Sequence, residues 1–424
     1  MKNEVTQTSY GRLDILYRIS QTFNSSLDLD QVLELVMDEV IGVVKAERGF
    51  LMLMDENHQL VSQTARGLDQ KTIQEKDFSI SRGIAEQVAH NGDPLLTSNA
   101  QLDPRFDKHA SVHLYGLLSI LCVPITLKGK ILGVIYVDNR FQKGIFTIED
   151  MDLLGTIASS AAIAIENARL YKVAVEKGRM ERELQMARDV QVRLIPPVLP
   201  EIPGWSLASC WIPAHEVSGD FYDFIQVSPH QLLIIIADVS DKGMPAAMFM
   251  ALSRSILRSV AGQGKSVSEE VTTANRLICQ DAAEDMFITF FYALLDTRTG
   301  KMSYVNAGHN PPIFYQGAKD LLTTLTRTGM AAGVNLDTQY TQGEVAFQDG
   351  DFIVMYTDGV TDTPVAGQPL GEERLKDSIY QHRLSSPPNM LDWLKDNYCT
   401  FPNSISPVDD VTMLIIRRGQ SQGG

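Results

Sequence analysis

Four aspartates in the C-terminal half are spaced so that antiparallel folding gathers them. Phe221 to Val227 and Leu232 to Ala237 are strand-like runs separated by the turn sequence Ser228-Pro229-His230-Gln231, and positions 220 and 238 lie symmetrically about residue 229. A hairpin over this stretch sets Asp220 opposite Asp238. Farther on, the apolar run Phe352 to Thr357 ends in Asp358-Gly359, while Asp409-Asp410 precedes the strand-like Val411 to Ile416. In an antiparallel sheet the end of one strand and the start of its neighbour share an edge, which brings Asp358 to Asp409. Two like charges ~4 Å apart repel by roughly 4 kcal/mol at an effective dielectric of 20, so four clustered carboxylates call for cations. Donors that are all oxygen suit Mg²⁺ or Mn²⁺ and not thiolate-bound zinc. A divalent ion held this way can acidify a bound water, which is hydrolytic chemistry without a Ser, Cys or His nucleophile. An Asp-Gly pair after a strand is by itself an ordinary turn; the joint occurrence of the acids is what points to a site.

The elements that hold these residues belong to a chain of 424 residues with 52 acidic and 37 basic side chains, a net charge of -15. At ~150 residues per domain that is about three units, or two large ones and a connector. A hydrophobic fraction of 44% against 21% charged residues supplies packed cores and excludes disorder for most of the chain. Apolar stretches such as Leu117 to Leu127 fall short of the ~20 residues that span a bilayer, and Met1 to Gly11 is polar, so a cytoplasmic protein is expected. Cys122, Cys210, Cys279 and Cys399 lie far apart with no CxxC spacing, which suggests neither disulfides nor zinc. The acidic excess disfavours nucleic acid and anionic membrane as partners and suits a protein that holds cations.

Toward the N-terminus the pattern is helix, several strands, then a long helix. Ser25-Ser26-Leu27-Asp28 offers caps for an amphipathic helix over Leu29 to Val44; Gly49 to Met54 and Gln59 to Thr64 read as strands. Leu118 to Leu127 and Ile131 to Val137 flank Lys128-Gly129-Lys130 as a hairpin, and Thr147 with Asp150 forms a capping-box pattern at the head of a helix running past Tyr171. The segments Ala46-Glu47-Arg48-Gly49-Phe50-Leu51, Val123-Pro124-Ile125, Leu132 to Val137 and Ala164-Ile165-Glu166-Asn167-Ala168 resemble those of GAF domains, over about residues 13–171. The resemblance implies an antiparallel sheet backed by helices that senses a small-molecule ligand or mediates dimers. Asn139-Arg140, Phe146 and Asp150 partly match the signature of cyclic-nucleotide GAF domains, but Arg140 replaces its lysine and Met151 its final acid. A dimerisation or structural domain without ligand is the alternative.

Leu170, Val173, Lys177, Met180, Leu184, Ala187, Gln191 and Leu194 recur at three- and four-residue steps, placing them on one helical stripe that runs into a helical linker over residues 172–195. A short parallel coiled coil that makes a homodimer and an amphipathic helix packed on its own domain both fit this stripe, since two of its positions are polar and Gly178 weakens it. Pro196-Pro197, Pro200 and Pro203 end the segment and set the domain boundary near residue 196.

The motifs Ser218-Gly219-Asp220-Phe221-Tyr222-Asp223, Asp238-Val239-Ser240-Asp241-Lys242-Gly243, Asn306-Ala307-Gly308-His309-Asn310, Tyr356-Thr357-Asp358-Gly359-Val360 and Asp409-Asp410-Val411-Thr412 resemble the SpoIIE/RsbU branch of the PPM (PP2C-like) protein phosphatases, over residues 196–418. The resemblance implies an α+β chain whose C-terminal part is an α-β-β-α sandwich of two antiparallel sheets. It implies two Mn²⁺ or Mg²⁺ ions on Asp220, Asp238, the Val239 carbonyl, Asp358 and Asp409. Asp410 is the lesser of the adjacent pair, and Asp223 and Asp241 orient the site or cap the next segment. Eukaryotic relatives add a phosphate-holding arginine and a histidine acid; here Trp211 to Asp220 lacks arginine and Ser240 stands where that histidine is expected. Phosphate anchoring and the proton donor are thus unassigned, with His215 and a metal-bound water as candidates, and His309 reads as a turn or packing residue. Met244, Ala246, Ala247, Met248 and Met250 give the next helix a soft apolar surface, usual for a core. In the family that helix links regulation to the metal site.

The reading that follows is a GAF-regulated, metal-dependent serine/threonine phosphatase acting on a phosphoprotein, for which the family suggests STAS-type anti-sigma-factor antagonists. The alternatives are a catalytically inactive sensor or scaffold and a phosphatase of a small phosphorylated metabolite.

Overall fold

The protein is described from a computed structural model, for residues 18, 21–23, 25–67, 82–106, 117–142, 145–282, 285–365, 368–399 and 407–419. It divides into two compact units, residues 1–179 and 180–424.

In the first unit the Asp28 carboxylate accepts the backbone N–H of Gln31 and starts helix α1 (Leu29–Val44), which buries Val32, Leu33, Val36, Met37, Val40, Ile41 and Val44. These fall at the three- and four-residue steps of one helical face. Five strands, β1 (Arg48–Met54), β2 (Leu60–Gly67), β3 (Leu95–Thr97), β4 (Ser119–Leu127) and β5 (Lys130–Asn139), form an antiparallel sheet in the order β2-β1-β5-β4-β3. The β4–β5 turn is made by Lys128 and Gly129, both at positive φ, the conformation that two-residue hairpin turns require. Helix α2 (Arg82–Asn91) packs Ile84, Ala85 and Val88 with Phe50, Cys122 and Tyr136; α1 joins Leu51, Val123, Ile135 and Val137 in a separate core. Helix α3 (Ile148–Leu194) is opened by a reciprocal cap, with Asp150 N–H donating to Thr147 Oγ1 and Thr147 N–H to Asp150 Oδ2. It runs through Gly178 without a break.

The residues of the partial nucleotide signature have local partners. Arg140 pairs with Glu47, and Asn139 Oδ1 accepts the N–H groups of Phe141 and Gln142.

The second unit places two five-stranded antiparallel sheets between helices. The first sheet runs β13-β10-β9-β8-β7 and the second β12-β11-β14-β17-β6. Their strands are β6 (Trp205–Ile212), β7 (Phe221–Ser228), β8 (Gln231–Val239), β9 (Ile288–Asp296), β10 (Lys301–Ala307), β11 (Ile313–Gln316), β12 (Leu321–Thr324), β13 (Gly343–Ala346), β14 (Phe352–Tyr356) and β17 (Val411–Arg418). A two-residue ladder joins β15 (Pro364–Val365) to β16 (Gln368–Pro369). Helices α4 (Met244–Val260) and α5 (Val267–Asp281) cover the first sheet; α6 (Asp358–Asp362), α7 (Gly371–Gln381) and α8 (Pro387–Leu394) follow β14, with α8 against β6 and β17. Alternation along β17 sends Leu414 and Ile416 between the sheets and Val411, Met413 and Ile415 toward the α7 and α8 core. This is the α+β sandwich that the sequence leads one to expect.

Candidate metal centre

The β7–β8 hairpin pairs Phe221 with Ala237, which sets Asp220 and Asp238 across from each other one residue farther out. In the second sheet Tyr356 of β14 pairs with Met413 of β17, so Asp358 and Asp409 leave the same edge. All four acids come from strand ends at one edge of the sandwich.

Asp220 is buried, and its Oδ2 accepts the hydroxyls of Thr357 and Thr412, each at 2.7 Å. Burial drives its pKa well above the carboxylate range, helped by the charges of Asp238 and Asp410 and opposed by the two hydroxyls. Asp238 lies beside it and is pushed up to about 7 by burial and by the charges of Asp358 and Asp409. Asp358 is raised by burial, then by Asp409 and Asp362. The cluster thus holds more negative charge than its surroundings support, which is what a cation would relieve. Among the described residues no group of three or more His, Cys, Asp or Glu side chains is arranged to hold a metal ion. Several of the oxygens face protein donors: Asp220 Oδ2 faces the threonines, Asp409 Oδ2 faces Lys242 Nζ at 2.8 Å, and Asp409 Oδ1 accepts the N–H of Asp410 at 2.9 Å. The donor set fits a hard divalent cation in its chemistry, with Lys242 standing against Asp409.

The backbone is drawn in tightly around these acids. A Cβ on Gly219 would lie 3.2 Å from the Val239 carbonyl oxygen. One on Gly359 would lie 1.9 Å from the Asp410 carbonyl oxygen, so a side chain there has no room. Gly359 therefore marks a close approach of the start of α6 to the residue that leads into β17, and Asp358-Gly359 is the first turn of α6, not a free-standing turn.

Asp410 faces away from the open edge of the cluster. Its Oδ1 accepts the N–H of Ala214, and its Oδ2 accepts the Ser218 hydroxyl and the Gly219 N–H, all within 2.8 Å. It fixes the loop that presents Asp220. Asp223 is fully buried between Arg254 and Arg258 of α4, at 3.0 and 2.7 Å. Asp241 sits at positive φ and accepts only the N–H of Lys242; Gly243 takes the N-cap position of α4 without a side-chain cap, so the expected capping by Asp241 is not realised. Of the Met-rich segment, Ala246, Ala247 and Met250 are buried, whereas Met244 and Met248 are exposed.

His309 is buried with Nδ1 2.9 Å from Thr289 Oγ1, and Thr289 pairs with Asp238 across β8 and β9. Burial and the nearby Arg327 charge lower its pKa to about 3, so the ring is neutral at pH 7. It packs behind Asp238. His215 is exposed on the loop before Asp220. Val239 is buried at the end of β8.

Sequence reasoning passed over Thr357, Thr412, Gln191 and the two arginines. Thr412 had a signal: it is the polar residue on the face of β17 that otherwise carries Leu414 and Ile416. Gln191, assigned to a helical stripe, is buried and binds Ser218 twice, its Nε2 donating to the carbonyl at 2.8 Å and its Oε1 accepting the N–H at 3.0 Å.

Comparison with known proteins gives two family matches: the model described as Stage II sporulation protein E (SpoIIE) over residues 228–419, and that of the GAF domain over residues 26–166. The first takes in Asp238, Asp358 and Asp409 and begins after Asp220. Protein IcfG of Synechocystis sp. is 31% identical over 272 residues, covering 58% of this chain and 43% of IcfG. Phosphoserine phosphatase RsbU of Bacillus subtilis is 29% identical over 239 residues, covering 56% of this chain and 71% of RsbU. The solved structure of the SiaA-PP2C domain of Pseudomonas aeruginosa covers 57% of this chain and 99% of that domain, with a TM-score of 0.49 at 20% identity. The chain spans less than half the length of IcfG. Among the described residues no helix is long and apolar enough to cross a membrane.

Proposed function

We propose that this chain, which joins a GAF domain to a SpoIIE-type PP2C domain, is a metal-dependent serine/threonine protein phosphatase under GAF control. The observation that carries the reading is the gathering of Asp220, Asp238, Asp358 and Asp409 at one sandwich edge from two separate strand pairs. These carboxylates, with the Val239 carbonyl, are the groups that would hold two Mn²⁺ or Mg²⁺ ions. When bound, such ions supply an activated water and neutralise phosphoryl oxygens.

The chain's own part is positioning. Thr357 and Thr412 aim Asp220 by holding one of its oxygens, Asp410 fixes the Ser218-Gly219 loop beneath it, and the absence of a side chain at Gly359 lets the start of α6 close on Asp410 at the head of β17. His309 is neutral and enclosed, which suits a packing role and argues against a proton donor.

The name of the relative RsbU, a phosphoserine phosphatase, supports a phosphoserine group as substrate; we assign it to a protein, with a phosphorylated STAS-type partner as the class that the family resemblance implies. Regulation is assigned to the GAF domain, acting through α3, whose residue Gln191 bonds to the loop before Asp220. A GAF ligand and homodimer formation through α3 complete the proposal.

The test is Mn²⁺-dependent release of phosphate from a phosphoserine protein by the full chain, set against Asp238→Asn and Asp358→Asn. Release that needs both the ion and the two aspartates supports the reading; equal release by the variants sinks it. Preference for free phosphomonoesters over phosphoprotein would move the substrate to small metabolites.

A further inference from the structure

The loop from Ser240 to Gly243 carries a lysine into the acid cluster. Asp241 and Gly243 both take positive φ, and between them Lys242 sends its ammonium to Asp409 Oδ2 at 2.8 Å and to the Val408 carbonyl at 3.2 Å. The lysine side chain is 51% exposed and Asp409 35%, so the pair lies at the mouth of the cluster and not in the core. Asp358 and Asp410 add to the field on the same ammonium, and the bond to Asp409 keeps it charged.

We propose that Lys242 is a built-in counter-ion that occupies Asp409 while the cluster lacks divalent ions and must leave when Asp409 takes part in holding one. The inference rests on the reading of Asp409 as a metal ligand. An ammonium held against one carboxylate oxygen repels a divalent cation that approaches the same carboxylate, and with Asp409 Oδ1 accepting the N–H of Asp410 the ammonium stands on the oxygen that an incoming ion would use. The four-carbon stem is flexible and half in water, so departure costs little and is reversible. Two consequences follow. The cluster binds ions more weakly than its four carboxylates alone would, and ion binding releases a primary amine at the place where an anionic substrate arrives.

The test measures Mn²⁺ uptake by calorimetry on the full chain, for the wild type, Lys242→Met and Lys242→Arg. An exposed ion pair of this kind is worth enough that Lys242→Met should bind Mn²⁺ roughly two- to fivefold more tightly, with Lys242→Arg close to wild type. In parallel, amine acylation read by mass spectrometry should modify Lys242 several-fold faster in Mn²⁺-saturated protein than in metal-free protein. Unchanged Mn²⁺ affinity in Lys242→Met, or acylation of Lys242 that does not respond to Mn²⁺, overturns the proposal. Because neither readout uses phosphate release, a protein that shows both effects and hydrolyses nothing would overturn the phosphatase reading alone. Full Mn²⁺ uptake by Asp409→Asn would remove Asp409 as a ligand and this inference with it.

Discussion

Gln191 and Ser218 are joined by two hydrogen bonds between one side-chain amide and the backbone N–H and C=O of one residue, and Ser218 in turn bonds to Asp410 and leads into Asp220. Gln191→Ala leaves the buried N–H and C=O of Ser218 unpaired, at about 1–3 kcal/mol for each group that water does not reach. The expected outcome is a lower Tm and weaker Mn²⁺ binding together, checked by thermal unfolding and calorimetry. Weaker ion binding at unchanged Tm would place the effect on the site alone.

Gly359 and Gly219 offer a graded pair. Gly359→Ala drives a methyl into the Asp410 carbonyl, whereas Gly219→Ala brings one to 3.2 Å from the Val239 carbonyl, a few tenths of an ångström inside ordinary contact. Overpacking of this sort costs about 1–3 kcal/mol, so Gly359→Ala should unfold well below the wild type and lose ion binding, with Gly219→Ala intermediate. Urea melts of both variants give the order; a Gly359→Ala protein as stable as wild type would contradict the close approach.

Asp238 sets a pH dependence. Its folded value near 7 lies above the ordinary 3.8, so the ion-free folded chain holds a proton that the unfolded chain gives up. That contribution is complete below the ordinary value and is lost as pH rises through about 7, and Asp220 and Asp358 act in the same direction. Metal-free Tm attributable to this cluster should therefore fall across that window, less so in Asp238→Asn. Mn²⁺ at 100 times its Kd adds about 2.7 kcal/mol by mass action, and at a fixed Mn²⁺ concentration the gain should grow as pH rises past 7 and Asp238 gives up its proton. Calorimetric scans with and without Mn²⁺ check both slopes.

Asp223 is a buried acid with two arginines. Asp223→Ala leaves the Arg254 and Arg258 charges facing each other without a counter-ion, at about 3–5 kcal/mol. Phosphate release by whatever fraction stays folded at low temperature should persist, since Asp223 lies outside the acid cluster. A Tm drop with retained specific activity is the expected result.

The gathering of the acids was legible because it follows from strand periodicity alone: positions 220 and 238 face each other in any register centred on residue 229, and the observed pairing of Phe221 with Ala237 has that centre. Helix α1 was legible to its first residue because Asp28 is a strong cap. What escaped was held by contacts distant in sequence. Thr357 and Thr412 act on Asp220 from 137 and 192 residues away, and no local rule joins a threonine hydroxyl to a carboxylate at that separation. Gln191 was placed by its helical spacing, which records a face and not what covers it. Asp223 and Asp241 received a shared role, yet one is enclosed by arginines and the other accepts only its neighbour's N–H.

The threonine pair around Asp220 bears on how inactive relatives would be recognised. An oxygen held by hydroxyls from both β17 and the end of β14 ties the first sheet to the second, so selection for a folded sandwich preserves this aspartate even after hydrolysis has been abandoned. Asp410, which pins a loop, would survive decay for the same reason. Pseudoenzymes of this architecture should therefore keep positions 220 and 410 and drift at 238, 358 and 409, and a tally of surviving acids would overstate how many of them still work.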